Sequence, residues 1–119
     1  MDFMQPEIAR ALDECDGATL DTLEFGVIRM TLDGVIDGYN SYEAQLSGLP
    51  ASRVLGKNLF SEVAPCTNNC LVAARFEESQ ILDETIPYVF TLRMRPRKVE
   101  LRMVKTQTGL HQYLLVRNR

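Results

Sequence analysis

This sequence of 119 residues contains no long hydrophobic run and no export signal. No stretch approaches the roughly 18 consecutive apolar residues that a membrane-spanning helix needs. The first seven residues, Met1 to Glu7, have neither the basic region nor the apolar core of a signal peptide. We therefore expect one soluble, cytoplasmic globular domain without a membrane partner.

Cysteine is scarce, and histidine occurs once. Three cysteines, Cys15, Cys66 and Cys70, fit a reducing compartment better than a disulfide scaffold. His111 falls in or beside the last predicted strand, so a Cys-His pair would need a long-range contact. Glycine-rich phosphate loops and metal-ligand clusters are also absent from the sequence. We predict no enzyme, no catalytic residue and no metal site, with a Cys66/Cys70 redox or metal sensor as an alternative.

The chain also lacks the net positive charge of a typical nucleic-acid-binding protein. Residues 1–62 hold 11 acidic and 4 basic side chains (−7), and residues 63–119 hold 5 and 9 (+4), which sum to −3. The basic cluster is Arg93, Arg95, Arg97, Lys98, Arg102 and Lys105. It has no accompanying set of base-stacking aromatic residues, so we predict no nucleic-acid partner and place these charges on the solvated face of a sheet.

What the chain does contain is a clear succession of secondary-structure patterns. Residues 2–15 predict an amphipathic helix, ended by Gly17, whose apolar stripe must dock on its own sheet or on the same helix of a second copy. A homodimer through this helix or through the sheet is the corresponding expectation for partners. Phe25 to Tyr39 predicts a β-hairpin with its turn at Asp33-Gly34. Asn40 or Ser41 then caps a short helix.

The second half of the chain predicts one more helix and three strands. The expected elements are short turns over 51–63, a helix from Cys66 to about Ser79, a loop around Asp83, a strand from Ile86 to Arg95, a turn at Pro96, a strand from Val99 to Met103, a turn at Thr108-Gly109 and a strand from Tyr113 to Val116. Two strands, a helical excursion and three strands predict an α+β domain. Its five-stranded antiparallel sheet carries helices over one face.

Cys66 and a face of the short helix are the candidate functional residues. Cys66 follows a proline at the predicted start of a helix, where unpaired N–H groups and the helix dipole stabilise a thiolate. Its alternative role is that of a buried structural thiol. Tyr39, Glu43 and Ser47 are spaced by four, so their side chains line one face. If Glu43 is buried, its raised pKa makes it a neutral donor that, with Tyr39, stabilises an anionic oxygen; otherwise it is an exposed helix carboxylate.

Several segments together resemble the photoactive yellow protein family of blue-light receptors, which have the PAS fold. The matching segments are Leu20 to Ile28, Asp33-Gly34, Tyr39-Asn40 with Glu43, Gly56 to Phe60, Val63 to Thr67, and Tyr88, Phe90, Met94, Pro96 and Val99. The resemblance spans nearly the whole chain. It implies a PAS fold over residues 21–119, with residues 1–20 as an N-terminal helical cap.

The resemblance also implies a chromophore and a site. Cys66 would be esterified through sulfur to 4-hydroxycinnamic acid (p-coumaric acid), with Tyr39 and Glu43 holding its phenolate. Ser47 stands where the family has a supporting threonine. Leu49 stands in place of an arginine that covers the pocket, and Leu92 in place of a tyrosine beside the chromophore.

The implied function is that of a blue-light photoreceptor. Light isomerises the chromophore, Glu43 gives up its proton, and the uncompensated buried charge loosens the domain and releases the N-terminal cap. An unidentified signalling protein would then detect the changed conformation. The alternative is a PAS domain without light chemistry that acts in self-association or small-ligand sensing.

Overall fold

The computed structural model describes residues 1–92, 95–107 and 109–119, without the side chain of Leu92. The helices are α1 (Ile8–Asp13), α2 (Gly17–Leu20), α3 (Ser41–Ser47) and α4 (Ala73–Glu78). The strands are β1 (Gly26–Thr31), β2 (Ile36–Tyr39), β3 (Leu82–Leu92), β4 (Arg95–Lys105) and β5 (His111–Asn118). Short helical turns lie at Ala51–Arg53, Leu59–Val63 and Pro65–Thr67. Within the described residues, no helix has the length and hydrophobicity needed to cross a membrane.

The five strands form one antiparallel sheet in the order β2-β1-β5-β4-β3, which confirms the predicted architecture. The predicted hairpin turn is present, with Gly34 at a φ of 89°, a conformation that favours glycine. The last strand of the chain, β5, lies at the centre of the sheet. Its residues Tyr113 to Val116 are all fully buried, which explains their continuous apolar run.

The two faces of the sheet carry separate hydrophobic cores. One face packs against α4 and the turns that follow α3, in a core that includes Phe76, Phe90 and Leu101. The other face packs against the N-terminal segment, where Ile8, Ala9 and Leu12 of α1 are buried. The apolar stripe of α1 therefore docks on its own domain's sheet, although Met4 at its start remains exposed.

Three predicted helix boundaries were wrong. The N-terminal helix, predicted from residue 2, begins only at Ile8, because Glu7 before it has a left-handed backbone conformation with a φ of 52°. Local side chains explain the other two. Gly17 does not end the N-terminal helical region but begins α2, because the side chain of Asp16 caps that helix by accepting a hydrogen bond from Thr19 N. The helix predicted to start at Cys66 begins only at Ala73. Before it, the side chain of Asn69 accepts from the backbone N–H groups of residues 71 and 72 and holds a non-helical turn.

Two predicted breaks in the strands were also wrong. Asp83 is not in a loop but lies in β3, paired with Val104. Pro96 is not in a turn but lies in β4, opposite Thr91. The pairing of β4 with β5 begins only at Val99, so Pro96 has a strand partner on one side only. A position of this kind tolerates the missing N–H of proline. The predicted residues Arg93, Met94 and Thr108 lie outside the described residues.

Candidate functional site

The side chain of Asn40 fixes α3 against the sheet. It is buried and caps the helix, with Oδ1 accepting from Glu43 N at 3.1 Å and from Val27 N at 2.9 Å. Its Nδ2 donates to Leu20 O at 3.0 Å and to Phe25 O at 2.9 Å. One amide side chain thus joins α3, β1 and the end of α2, and it sets the position from which Glu43 projects.

Tyr39 and Ser47 form a buried pair at the two ends of this segment. The Tyr39 hydroxyl and Ser47 Oγ are 2.8 Å apart, and either can be the donor of this hydrogen bond. Ser47 Oγ accepts a second hydrogen bond from Leu49 N at 3.1 Å. Burial is the main cause that raises the pKa of Tyr39 to about 12. The phenol therefore stays neutral near pH 7 and keeps its proton for hydrogen bonding.

Glu43 is completely buried and pairs with an arginine. Its Oε2 accepts from Arg97 Nη2 at 3.0 Å and its Oε1 accepts from the same atom at 3.4 Å. The other neighbour is Gly26, where an added Cβ would lie 2.5 Å from Oε1, so the carboxyl group needs a glycine there. Burial raises the pKa of Glu43 to about 7, against the opposing effect of the Arg97 charge. Near neutral pH the group is thus poised between its two protonation states.

Arg97 enters the site from β4. It pairs across the ladder with Phe90, and its guanidinium carbon lies 5.7 Å from the centre of the Phe90 ring. Its side chain is only 15% exposed. The expectation that the basic cluster lies on a solvated face is therefore wrong for Arg97. It is also wrong for Arg102, which is 3% exposed and pairs with Asp83.

Cys66 lies half-buried in the Pro65–Thr67 turn, beside β3. Its Sγ lies 3.3 Å from Thr91 N, which donates to it, and 3.4 Å from Thr91 O. Its carbonyl accepts from the Tyr88 hydroxyl at 2.6 Å and from Asn69 Nδ2 at 3.0 Å. Because α4 begins further along the chain, the helix-terminus argument for a thiolate at Cys66 does not hold.

Strand β3 connects these groups into one region. Cys66 contacts Thr91, and the preceding residue, Phe90, contacts Arg97, which in turn pairs with Glu43. Tyr39 lies in the same hydrophobic core as Phe90, and Cys66 packs against that core, so Tyr39 belongs to the same region. We call Tyr39, Glu43, Ser47 and Arg97 the buried polar cluster. Leu49 is half-buried beside it, whereas the side chain of Leu92 lies outside the described residues.

Sequence reasoning missed Arg97, although the sequence contains a signal for it. Val99, Leu101 and Met103 alternate along β4 and are fully buried on the face that carries α4. Because side chains two residues apart share a face, the same alternation extended back by one step reaches Arg97. The hydrogen bonds of Asn69 and Tyr88 to the Cys66 carbonyl have no comparable signal, because both depend on tertiary contacts.

Comparisons with known proteins identify the family and the fold of this chain. The family model described as PAS fold matches residues 17–118. The chain is 35% identical to photoactive yellow protein from Rhodothalassium salexigens and 31% identical to that from Halochromatium salexigens, in each case over 97% of this chain and 94% of the relative. It is also similar to the crystal structure of the photoactive yellow protein domain from the sensor histidine kinase Ppr of Rhodospirillum centenum. That match has 37% identity and a TM-score of 0.82, and it covers 92% of this chain and 98% of the other. The chain therefore belongs to the photoactive yellow protein family and has the PAS fold.

Proposed function

We propose that this domain is a blue-light photoreceptor that carries a 4-hydroxycinnamoyl thioester on Cys66. The observation that supports this most directly is that the buried polar cluster and Cys66 lie on the same side of the sheet, in a chain of this family. A thiol, a neutral phenol donor at Tyr39 and a buried carboxyl group at Glu43 form one region. Cys66 would hold the group: its Sγ would attack the carbonyl carbon of an activated 4-hydroxycinnamate, the activating group would leave, and the thiol proton would pass to solvent.

The donor set fits a ligand with a phenolate end. Arg97 has two buried N–H groups, on Nε and Nη1, without a hydrogen-bond partner in the described part of the chain. The Tyr39 hydroxyl is a further donor that burial keeps protonated. Donors in a dry site hold an anionic oxygen more strongly than they would in water. Tyr39, Glu43 and Ser47 would bind the phenolate end, and Leu49 and Leu92 would line the site.

The residues of the cluster also supply a means of response. When bound, the 4-hydroxycinnamoyl group absorbs blue light and isomerises about its double bond. Glu43, whose pKa of about 7 lies close to neutral pH, can give up a proton in response to a small change beside it. A carboxylate left charged in this site weakens the packing of α3 on β1.

The output we propose is a conformational change detected by a signalling protein in the cytoplasm. The similar domain of Rhodospirillum centenum belongs to a sensor histidine kinase. In the present chain the N-terminal segment, with residues 1–20 as the cap, is the element that the change releases. The domain itself senses light and performs no catalysis.

Attachment to Cys66 is tested by loading the purified protein with 4-hydroxycinnamic anhydride. We expect one adduct per chain, located by peptide mass on Cys66, and a visible absorption band in the blue. Cys66→Ser must abolish both. Cys70→Ser is the matched control, because Cys70 is exposed and four residues away, and it must retain both.

Absence of an adduct from the wild type, or an adduct on Cys70 alone, would contradict the proposal. The chain would then be a PAS domain without light chemistry, acting in self-association or small-ligand sensing. An adduct on Cys66 that gives no blue band would show attachment without a phenolate, and it would contradict the roles of Tyr39 and Glu43.

A further inference from the structure

We infer that Arg97 is a ligand-binding residue of this site, which supplies the positive charge that holds the phenolate oxygen of the ligand beside Tyr39 and Glu43. This inference rests on the proposed function. It adds a cationic residue on β4 to a site otherwise built from α3, β2 and the Cys66 turn.

The position of Arg97 is fixed by strand pairing. Directly opposed residues of an antiparallel pair project to the same face, and Arg97 is opposite Phe90, whose ring lies in the core beneath the helices. The neighbouring pair is Thr91 with Pro96, and Thr91 is the residue that contacts Cys66 Sγ. Cys66 also packs against the same hydrophobic core as Phe90, so the guanidinium lies on the same side of the sheet as the thiol that would carry the ligand.

The hydrogen bonds of Arg97 are incomplete. Only Nη2 bonds to Glu43, while Nε and Nη1 are buried and have no partner among the described residues. Buried N–H groups of a folded protein almost always have a partner, and a guanidinium can only donate. An oxygen with negative charge is the partner that satisfies these donors best. The unpaired atoms thus identify the chemistry of the missing ligand group as anionic.

Charge balance explains why one arginine matters. The titratable groups around the Arg97 guanidinium are Glu43 on α3 and Tyr39 on β2. Two more, Cys66 and Tyr88, are hydrogen-bonded to each other and lie further away, beside Thr91. One guanidinium neutralises one anion. If a phenolate and an ionised Glu43 were both present, the site would carry a net negative charge in a dry environment, so Glu43 keeps its proton when the phenolate binds. In this state Arg97 balances the charge of the phenolate, and Glu43 is a neutral hydrogen-bond donor.

The test compares the ionisation of the attached phenol in matched variants. Wild type, Arg97→Gln, Arg97→Lys and the control Arg95→Gln are loaded with 4-hydroxycinnamic anhydride, and the absorption of each is titrated with pH. Arg95 is exposed and lies on the same strand, so its variant removes the same charge outside the site. We expect Arg97→Gln to raise the phenol pKa by about 1 to 3 units. Arg97→Lys should restore part of this shift, and Arg95→Gln should leave the phenol pKa close to the wild-type value.

A second readout uses the protein without ligand. The pKa of Glu43, followed by carbon-13 NMR, should rise above its value of about 7 in Arg97→Gln, since the opposing positive charge is gone. If Arg97→Gln does not fold, the Arg97→Gln/Glu43→Gln double variant, which removes both charges, replaces it in the absorption titration.

The outcomes separate the inference from the proposed function. A Cys66 adduct whose phenol pKa is the same in Arg97→Gln as in the wild type, or the same in the double variant as in Glu43→Gln alone, overturns the role of Arg97 and leaves the chromophore proposal standing. An unliganded Glu43 pKa unaffected by Arg97→Gln overturns the ion pair, and with it this role. Failure of the wild type to form an adduct overturns the proposed function, and the inference falls with it.

Discussion

Ionisation of Glu43 makes the stability of this domain depend on pH near neutrality. Its carboxyl group is fully buried, and burial raises its folded-state pKa from the ordinary value of 4.5 to about 7. The folded domain therefore binds this proton more tightly than the unfolded chain does. The resulting stabilisation is fully present below pH 4.5 and is lost as the pH rises to about 7.

This linkage predicts the pH dependence of stability in the protein without ligand. Between pH 5 and pH 8, ionisation of Glu43 should lower the free energy of unfolding by about 2 to 3 kcal/mol. Glu43→Gln removes that contribution, so urea denaturation of this variant should differ less between the two pH values. Glu77→Gln, at an exposed position on α4, should behave as the wild type does. An equal pH dependence in Glu43→Gln and wild type would mean that Glu43 titrates normally.

Of the residues in the candidate site, most could be predicted from the sequence, but the positive charge that pairs with Glu43 could not. The spacing of Tyr39, Glu43 and Ser47 places them together, because residues four apart on or beside a helix share a face. The partner of Glu43 could not be read from spacing, since Arg97 lies 54 residues further along the chain. Because Arg97 belongs to a cluster of six basic residues, its side chain was expected to face solvent. Its alternation with Val99 indicated instead that the side chain faces the core.

Strand β4 is the element that joins the site to the N-terminal segment. Its residues alternate between the two faces, so Arg97 reaches the buried polar cluster while Arg102 reaches the cap. Arg102 Nη1 donates to Phe3 O and Gln5 O, each at 2.8 Å, and the rest of its guanidinium binds the Asp83 carboxylate. One strand thus contacts both the proposed sensor and the proposed output.

We therefore expect Arg102 to stabilise the docking of the N-terminal segment on the sheet. Arg102→Met should destabilise docking of the N-terminal segment by about 2 kcal/mol or more, because it removes charged hydrogen bonds to two backbone carbonyls. Hydrogen exchange should show lost protection in α1 and nearly unchanged protection in β5. Lys98→Met, at an exposed position on the same strand, is the control. Equal loss of protection in α1 and β5 would instead mean that the cap unfolds only with the whole domain.

The elements also show which parts of the fold were predictable. Strands with alternating apolar residues and the Asp33-Gly34 turn were identified correctly, since pattern and turn chemistry agree there. The boundaries near Cys66 were not, because the hydrogen bonds of the Asn69 side chain set them. The position of Pro96 depends on where β5 ends, which is a tertiary property.

The whole molecule is a sheet with a different layer on each face. The helical layer holds the buried polar cluster and Cys66, and the N-terminal layer seals the opposite face with Phe3, Ile8 and Leu12. While α1 is docked, its apolar stripe is unavailable to a second copy, so a homodimer through this helix would first require its release. The division of the chain at residues 20 and 21 and a homodimer through the sheet stay predictions.

The central claim is that blue light absorbed by a 4-hydroxycinnamoyl group on Cys66 changes the conformation of this domain. The most direct test is to load the protein with 4-hydroxycinnamic anhydride, illuminate it with blue light, and follow absorption and hydrogen exchange together. We predict that the blue band bleaches and returns in the dark, and that α1 loses protection only while it is bleached. A band that does not respond to light, or that bleaches without any change in hydrogen exchange, would contradict the account.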